Sequence, residues 1–245
     1  MGTEELIAAM FVIFLAGAAQ SMTGFGFGLV AVPLMTLFLA PSAAIPIIVI
    51  TGLFVNLMIL WQGKRQIRLG GMSSLAVAGL AGVPVGVWLL ASMEASTLRI
   101  YIGVLMLAAG LVFASGLRVR VANERLAAVP VGLASGVMGG SVSMPAPPII
   151  LFFANQKMAP ADFRANLVLV VTLQLLVSLP VYYANDLLPQ RAFVWSAAIL
   201  PALLVGTVIG SRLIGVVSER GFRRLTLATV IAAGVISLLT GLGFI

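Results

Sequence analysis

Along the chain, long apolar runs alternate with short polar breaks. The runs cover residues of about 5–40, 43–62, 71–91, 98–116, 127–154, 166–184, 192–215 and 224–244. Six of them have the length of a bilayer-spanning helix, about 20 residues. The breaks carry nearly all the charge: Lys64 to Arg68, Glu94, Arg118 to Arg125, Lys157 to Arg164, Asp186 to Arg191 and Glu219 to Arg224. Trp61, Trp88, Tyr101, Tyr182, Tyr183 and Trp195 fall near the expected span ends, where amphipathic rings favour the membrane interface. This pattern predicts an all-α polytopic membrane protein. The acidic start, Glu4-Glu5, lacks the basic region of a signal peptide, so the first run is expected to be retained.

Two runs do not fit a single span. The run 5–40 would be roughly 54 Å long as one helix, against a hydrocarbon core of about 30 Å. It contains Thr23-Gly24-Phe25-Gly26-Phe27-Gly28, whose alternate glycines disfavour a helix, and then Pro33. The run 127–154 contains Gly136-Val-Met-Gly139-Gly140-Ser141-Val-Ser143-Met-Pro145-Ala-Pro147-Pro148, which predicts a second break. Both read as broken or re-entrant hairpins.

The halves resemble each other. An offset of 124 aligns Gly82 and Gly86 with Gly206 and Gly210, Arg99 with Arg223, and Gly110 with Gly234. An offset of 112 aligns Gly24, Gly28, Val30 and Pro33 with Gly136, Gly140, Val142 and Pro145, which implies about twelve extra residues in the second half. The expected units are 1–120 (hairpin 5–40, spans 43–62, 71–91 and 98–116) and 121–245 (hairpin 127–154, spans 166–184, 192–215 and 224–244).

Charge then decides between topologies. If each broken run crosses once, the 14 Lys and Arg residues divide evenly between the two sides. If each run returns to its own side, 12 lie together and only Arg99 and Arg191 lie opposite, which the positive-inside rule prefers. Both termini are then outside and the halves are inverted relative to each other. Inverted repeats with breaks at matching places predict a transporter with its site where the repeats meet.

Composition narrows the chemistry. The chain is 61% hydrophobic and 9% charged, which excludes an ordinary soluble domain. Cys and His are absent, so thiolate nucleophiles, imidazole bases and most transition-metal sites are excluded, and no metal or cofactor is expected. The net charge of +7 reads as cytoplasmic loops rather than nucleic-acid binding. All seven acids fall at loops or span ends, which argues against an intramembrane enzyme or a proton relay. Membrane-depth polarity comes from Gln20, Ser21 and Thr23 in the first break, Ser141 and Ser143 in the second, and Asn56 and Gln174 in the spans that follow, with Asn166 and Thr172 nearby. With the backbone N–H groups around Gly24, Gly26 and Gly28 and around Gly139, Gly140 and Ser143, these donors suit a small oxyanion. The GxxxG spacings also suit plain helix packing, the preferred reading for Gly82/Gly86 and Gly206/Gly210. Lys157 and Arg164 read as markers of the cytoplasmic face, with a basic vestibule as their other use.

The segments Gly17–Pro33 (GAAQSMTGFGFGLVAVP) and Gly132–Pro148 (GLASGVMGGSVSMPAPP), the duplicated Gly-x-x-x-Gly helices and the charged Lys64–Arg68 connection resemble the sulfite exporter TauE/SafE family of bacterial membrane transporters. The resemblance spans essentially the whole chain. It implies transport of sulfite, thiosulfate or sulfonates across the bacterial inner membrane. It carries over to Gly24, Gly26, Gly28 and Pro33, and to Gly136, Gly139, Gly140 and Pro145. Ser141 and Ser143 stand where Leu29 and Ala31 do in the first half, which predicts one asymmetric anion site. An anion channel of the same architecture and a non-transporting membrane scaffold are the competing readings.

Overall fold

The computed structural model describes residues 2–63, 72–115, 123–154, 156, 159–213 and 219–244. The connections holding Lys64, Arg65, Arg68, Arg118, Arg120 and Lys157 lie outside the described residues. Ten helices are described: α1 (Thr3–Thr23), α2 (Phe27–Met35), α3 (Pro41–Gly63), α4 (Ser73–Ser92), α5 (Ala95–Ser115), α6 (Glu124–Val142), α7 (Ala146–Phe153), α8 (Pro160–Ala184), α9 (Gln190–Leu213) and α10 (Glu219–Gly241). No strand occurs among the described residues. Helices α1, α3, α4, α5, α8 and α9 are long and apolar enough to cross a membrane. Several helices begin a few residues before the expected apolar run. α8 starts at Pro160 rather than 166 because a first turn accepts Pro and an acid, here Asp162.

Both long runs are broken, by a left-handed residue in each case. α1 ends at Gly24 (φ 81°), whose N–H donates to the Gln20 carbonyl at 2.7 Å. α6 ends at Ser143 (φ 53°), where Ser143 N–H donates to the Gly139 carbonyl and Met144 N–H to the Met138 carbonyl, a Schellman-type close. Proline alone does not end a helix here: Pro46, Pro84, Pro130, Pro180 and Pro201 all sit inside spans. Neighbouring helices in a membrane bundle re-satisfy the backbone groups that proline frees.

The second break falls seven residues later than the glycine alignment expects. Gly136 and Gly140 lie within α6, and the N-caps of the two short helices, Gly26 and Pro145, stand 119 positions apart rather than 112. The reason is packing. Gly132, Gly136 and Gly140 of α6 face the carbonyls of Leu75, Gly79 and Val83, and Gly82 and Gly86 of α4 face those of Leu133 and Val137. Glycines that look like breakers thus let two parallel backbones touch while their helical hydrogen bonds stay intact. α1 and α9 pack in the same way, with Gly206 on Phe14 and Gly210 on Ala18. α5 and α10 run antiparallel, with Gly103 against Gly234 and Gly241 against Ser96. The inner helices α3 and α8 pack on each other at the centre.

The aromatic girdle holds only in part. Trp61, Trp88 and Tyr183 are exposed, but Tyr182 is 0% exposed and donates its hydroxyl to the Gly140 carbonyl at 2.7 Å. Adjacent helical residues differ by about 100° in direction, so Tyr183 faces out while Tyr182 faces the core. Tyr182→Phe should lower stability by about 1–2 kcal/mol, read as a drop in thermal unfolding temperature, because the Gly140 carbonyl loses its side-chain donor.

Candidate functional site

The two breaks meet. Gly28, in the first turn of α2, lies directly on the Ser143 carbonyl, so a side chain at Gly28 has no room. Between the breaks is a cleft with about 430 Å³ of free space including its mouth. α1, α2, α3, α7, α8 and both break segments contribute to its wall.

Of the residues singled out from sequence, Gln20, Gly24, Gly26, Gly28, Asn56 and Ser143 line the cleft. Gln20 and Asn56 are almost fully buried. The Gln20 carboxamide spans the first break: Nε2 donates to the Gly24 carbonyl at 3.2 Å and to Asn56 Oδ1 at 2.6 Å, and Oε1 accepts from Phe27 N–H at 3.0 Å. It is therefore the staple that holds the end of α1 to the start of α2 and orients Asn56. Asn56 Nδ2 has no hydrogen-bond partner among the described residues. Ser143 lies on the opposite wall.

The other candidates lie close by without lining the cleft. Ser21 returns its hydroxyl to the Gly17 carbonyl, and Thr23 ties the turn to the Ala19 carbonyl and the Phe25 backbone. Ser141 donates to the Val137 carbonyl and approaches the Tyr101 hydroxyl. Gly139, Gly140 and Ser141 lie inside the last turns of α6, where helical bonds occupy their N–H groups. Gln174 is fully buried against Gly79 and Gly139, with Nε2 donating to Ser135 Oγ (3.1 Å), which donates to the Pro145 carbonyl (2.7 Å). In the second half a serine and a glutamine together hold the break, where Gln20 and Thr23 do so in the first.

Donors are unequal between the halves. The first turn of α2 offers the N–H groups of Gly28 and Leu29, while Phe27 N–H is held by Gln20. α7 opens Ala146-Pro147-Pro148, and two of those three residues have no N–H. The remaining wall is apolar: Phe25, Phe27, Met144, Val171 and Leu175. No acidic residue lines the cleft among the described residues, and no group of three His, Cys, Asp or Glu side chains there could hold a metal.

Sequence reasoning missed Gly52, Met144 and the apolar wall from α8, because nothing in those spans distinguishes a cleft-facing residue from a core one. It also set Arg164 at the membrane face. The structure lays its stem over Gly24, with Nη2 donating to the Ser21 carbonyl at 2.7 Å.

No solved structure matches the chain. It is 28% identical over 246 residues to a probable sulfite/organosulfonate exporter TauE of Cupriavidus necator, an alignment covering 96% of this chain and 95% of that protein. The family model for the sulfite exporter TauE/SafE matches residues 9–237, which takes in both breaks and every residue of the cleft. The chain therefore belongs to the TauE/SafE sulfite exporter family.

Proposed function

We propose that the protein carries small sulfur-containing oxyanions or organosulfonates, of the sulfite, thiosulfate or sulfoacetate type, across the bacterial inner membrane by alternating access. The observation that carries the reading is the cleft between the breaks. Uncharged donors (Asn56, Ser143 and the α2 N-terminus) face it, with apolar side chains opposite and no lining carboxylate to repel an anion. An organosulfonate has the same division, an oxyanion head and an apolar body. The name of the Cupriavidus necator relative points to the same class.

Two inverted repeats, 1–120 and 121–245, are the units that rock. Each half runs through a long helix, a short helix and three long helices in the same order. Supporting the inversion, α5 and α10 pack antiparallel, whereas α1/α9 and α4/α6 pack parallel. A two-fold axis in the membrane plane relates helices in this way. With 12 of the 14 cationic residues on one side, the termini are assigned to the outside. Binding partners on this reading are the anion and the lipid bilayer, without nucleic acid or cofactor.

Counterflow in proteoliposomes tests the reading. Vesicles loaded with unlabelled sulfite, thiosulfate or a two-carbon sulfonate should accumulate labelled anion above equilibrium. Rapid leak without accumulation would indicate a channel, and no movement of any of the three in folded protein would refute the assignment. Ser143→Asp should abolish flux while leaving insertion intact, because Asp tolerates the left-handed backbone there yet adds an anion to the cleft. Undiminished flux would remove Ser143 from the site.

A further inference from the structure

Arg164 is a part-buried cation beside the first break. It lies in the first turns of α8, within the apolar span Ala161–Ala184. Its stem packs across Gly24, a cleft residue, and Nη2 donates to the Ser21 carbonyl. Nε is buried and has no partner among the described residues. No carboxylate among the described residues pairs with the guanidinium either, so its one recorded bond goes to a neutral carbonyl. A part-buried cation with no counter-charge is costly to hold, which makes Arg164 a candidate functional group.

The other arginines of the described spans differ. Arg99 Nε donates to the Thr36 carbonyl at the end of α2, a helix C-terminus that a cation suits, and Arg191 and Arg212 are exposed. Among the arginines whose side chains are described, Arg164 is the one that touches a residue lining the cleft.

We infer that Arg164 supplies the positive charge that binds the transported anion, exchanging the Ser21 carbonyl for the substrate's oxyanion. The inference rests on the transport reading above and adds to it a charged recognition group. An oxyanion is a stronger acceptor than a neutral carbonyl, and a guanidinium edge presents two parallel N–H donors to it. The exchange also has a mechanical consequence. The Arg164–Ser21 bond ties α8 of the second half to α1 of the first, so an anion that takes the guanidinium releases one tie between the halves. Binding is thereby coupled to their relative movement.

The test is isothermal titration of thiosulfate and of ethanesulfonate into purified protein in nanodiscs. Wild type, Arg164→Gln, Arg164→Lys and Arg212→Gln are compared, with thermal unfolding as the folding check. Arg212→Gln removes the same charge at an exposed residue that does not line the cleft. Expected are a Kd raised on the order of 10–100-fold in Arg164→Gln, a smaller rise in Arg164→Lys, and no change in Arg212→Gln. Unchanged affinity in a folded Arg164→Gln overturns the inference, as does an equal loss in Arg212→Gln. If Arg164→Gln fails to fold, Arg164→Lys decides: a several-fold loss supports the role and unchanged affinity overturns it. Wild type that binds neither anion fails the transport reading itself, a result separate from any effect of the substitutions.

Discussion

Gly136→Ala is expected to destabilise the folded protein strongly, although alanine is the smallest possible change and a better helix former than glycine. The added Cβ would overlap the Gly79 carbonyl oxygen and stand 2.9 Å from both the Gly79 carbonyl carbon and the Gly82 Cα. All three are backbone atoms of α4, so no rotamer change relieves the contact. The helices must separate, and Gly132 and Gly140, which touch the same partner a turn to either side, lose their contacts with it. Overpacking typically costs about 1–3 kcal/mol, and a site walled by backbone belongs at or above the upper end. Membrane helices have little hydrophobic drive to reassociate, since lipid tails are as apolar as the helix surface. Loss of the monodisperse species in detergent, or an unfolding temperature lowered by many degrees, is the expected readout. Gly2→Ala, where nothing lies within 4 Å of the new atom, should leave stability unchanged. Equal stability of the two variants would remove the glycine contact as the basis of the α4–α6 interface.

Gln20 is expected to separate folding from transport. Gln20→Leu leaves the Phe27 N–H, the Gly24 carbonyl and Asn56 Oδ1 without their partner in a buried site, at about 1–3 kcal/mol for each group left unpaired. That variant should be poorly folded. Gln20→Glu keeps the shape and still accepts from Phe27 N–H, and Asn56 adapts by turning its amide to donate, so only the Gly24 carbonyl loses its donor. It also places a carboxylate in the wall of the cleft, and juxtaposed like charges cost several kcal/mol. The expected result is a folded protein whose counterflow of sulfur oxyanions is reduced at least about thirtyfold. A folded Gln20→Glu variant with normal flux would place the anion path elsewhere.

The breaks show how far one-dimensional reading reaches. Gly24-Phe25-Gly26 was legible because glycine at a left-handed φ is a local property that needs no partner. The second break was legible in kind but not in place. Seven residues of Gly-rich helix were read as broken chain, because the helix that accommodates Gly136 and Gly140 lies some fifty residues away in sequence. The same limit applies to Gln174, whose hydrogen bond joins α8 to α6 beside the cleft, and to Ser141, whose hydroxyl returns to a carbonyl of its own helix. Arg164 was read from its place in a charged stretch, yet its guanidinium reaches a carbonyl 143 residues away.

What the sequence determined by itself was the membrane environment, the all-helical class, the two interrupted runs and their carboxylate-free polarity. These follow from composition and local backbone preference, which act within a turn or two of chain. Only the tertiary structure decided which glycines contact a neighbouring backbone and which bend the chain, and which buried amide faces the cleft. It alone set Tyr182 inside, Tyr183 outside and Arg164 over Gly24. A Cβ-sized gap or a single hydrogen bond acquires meaning only from the atoms opposite, and the packing of distant helices supplies those.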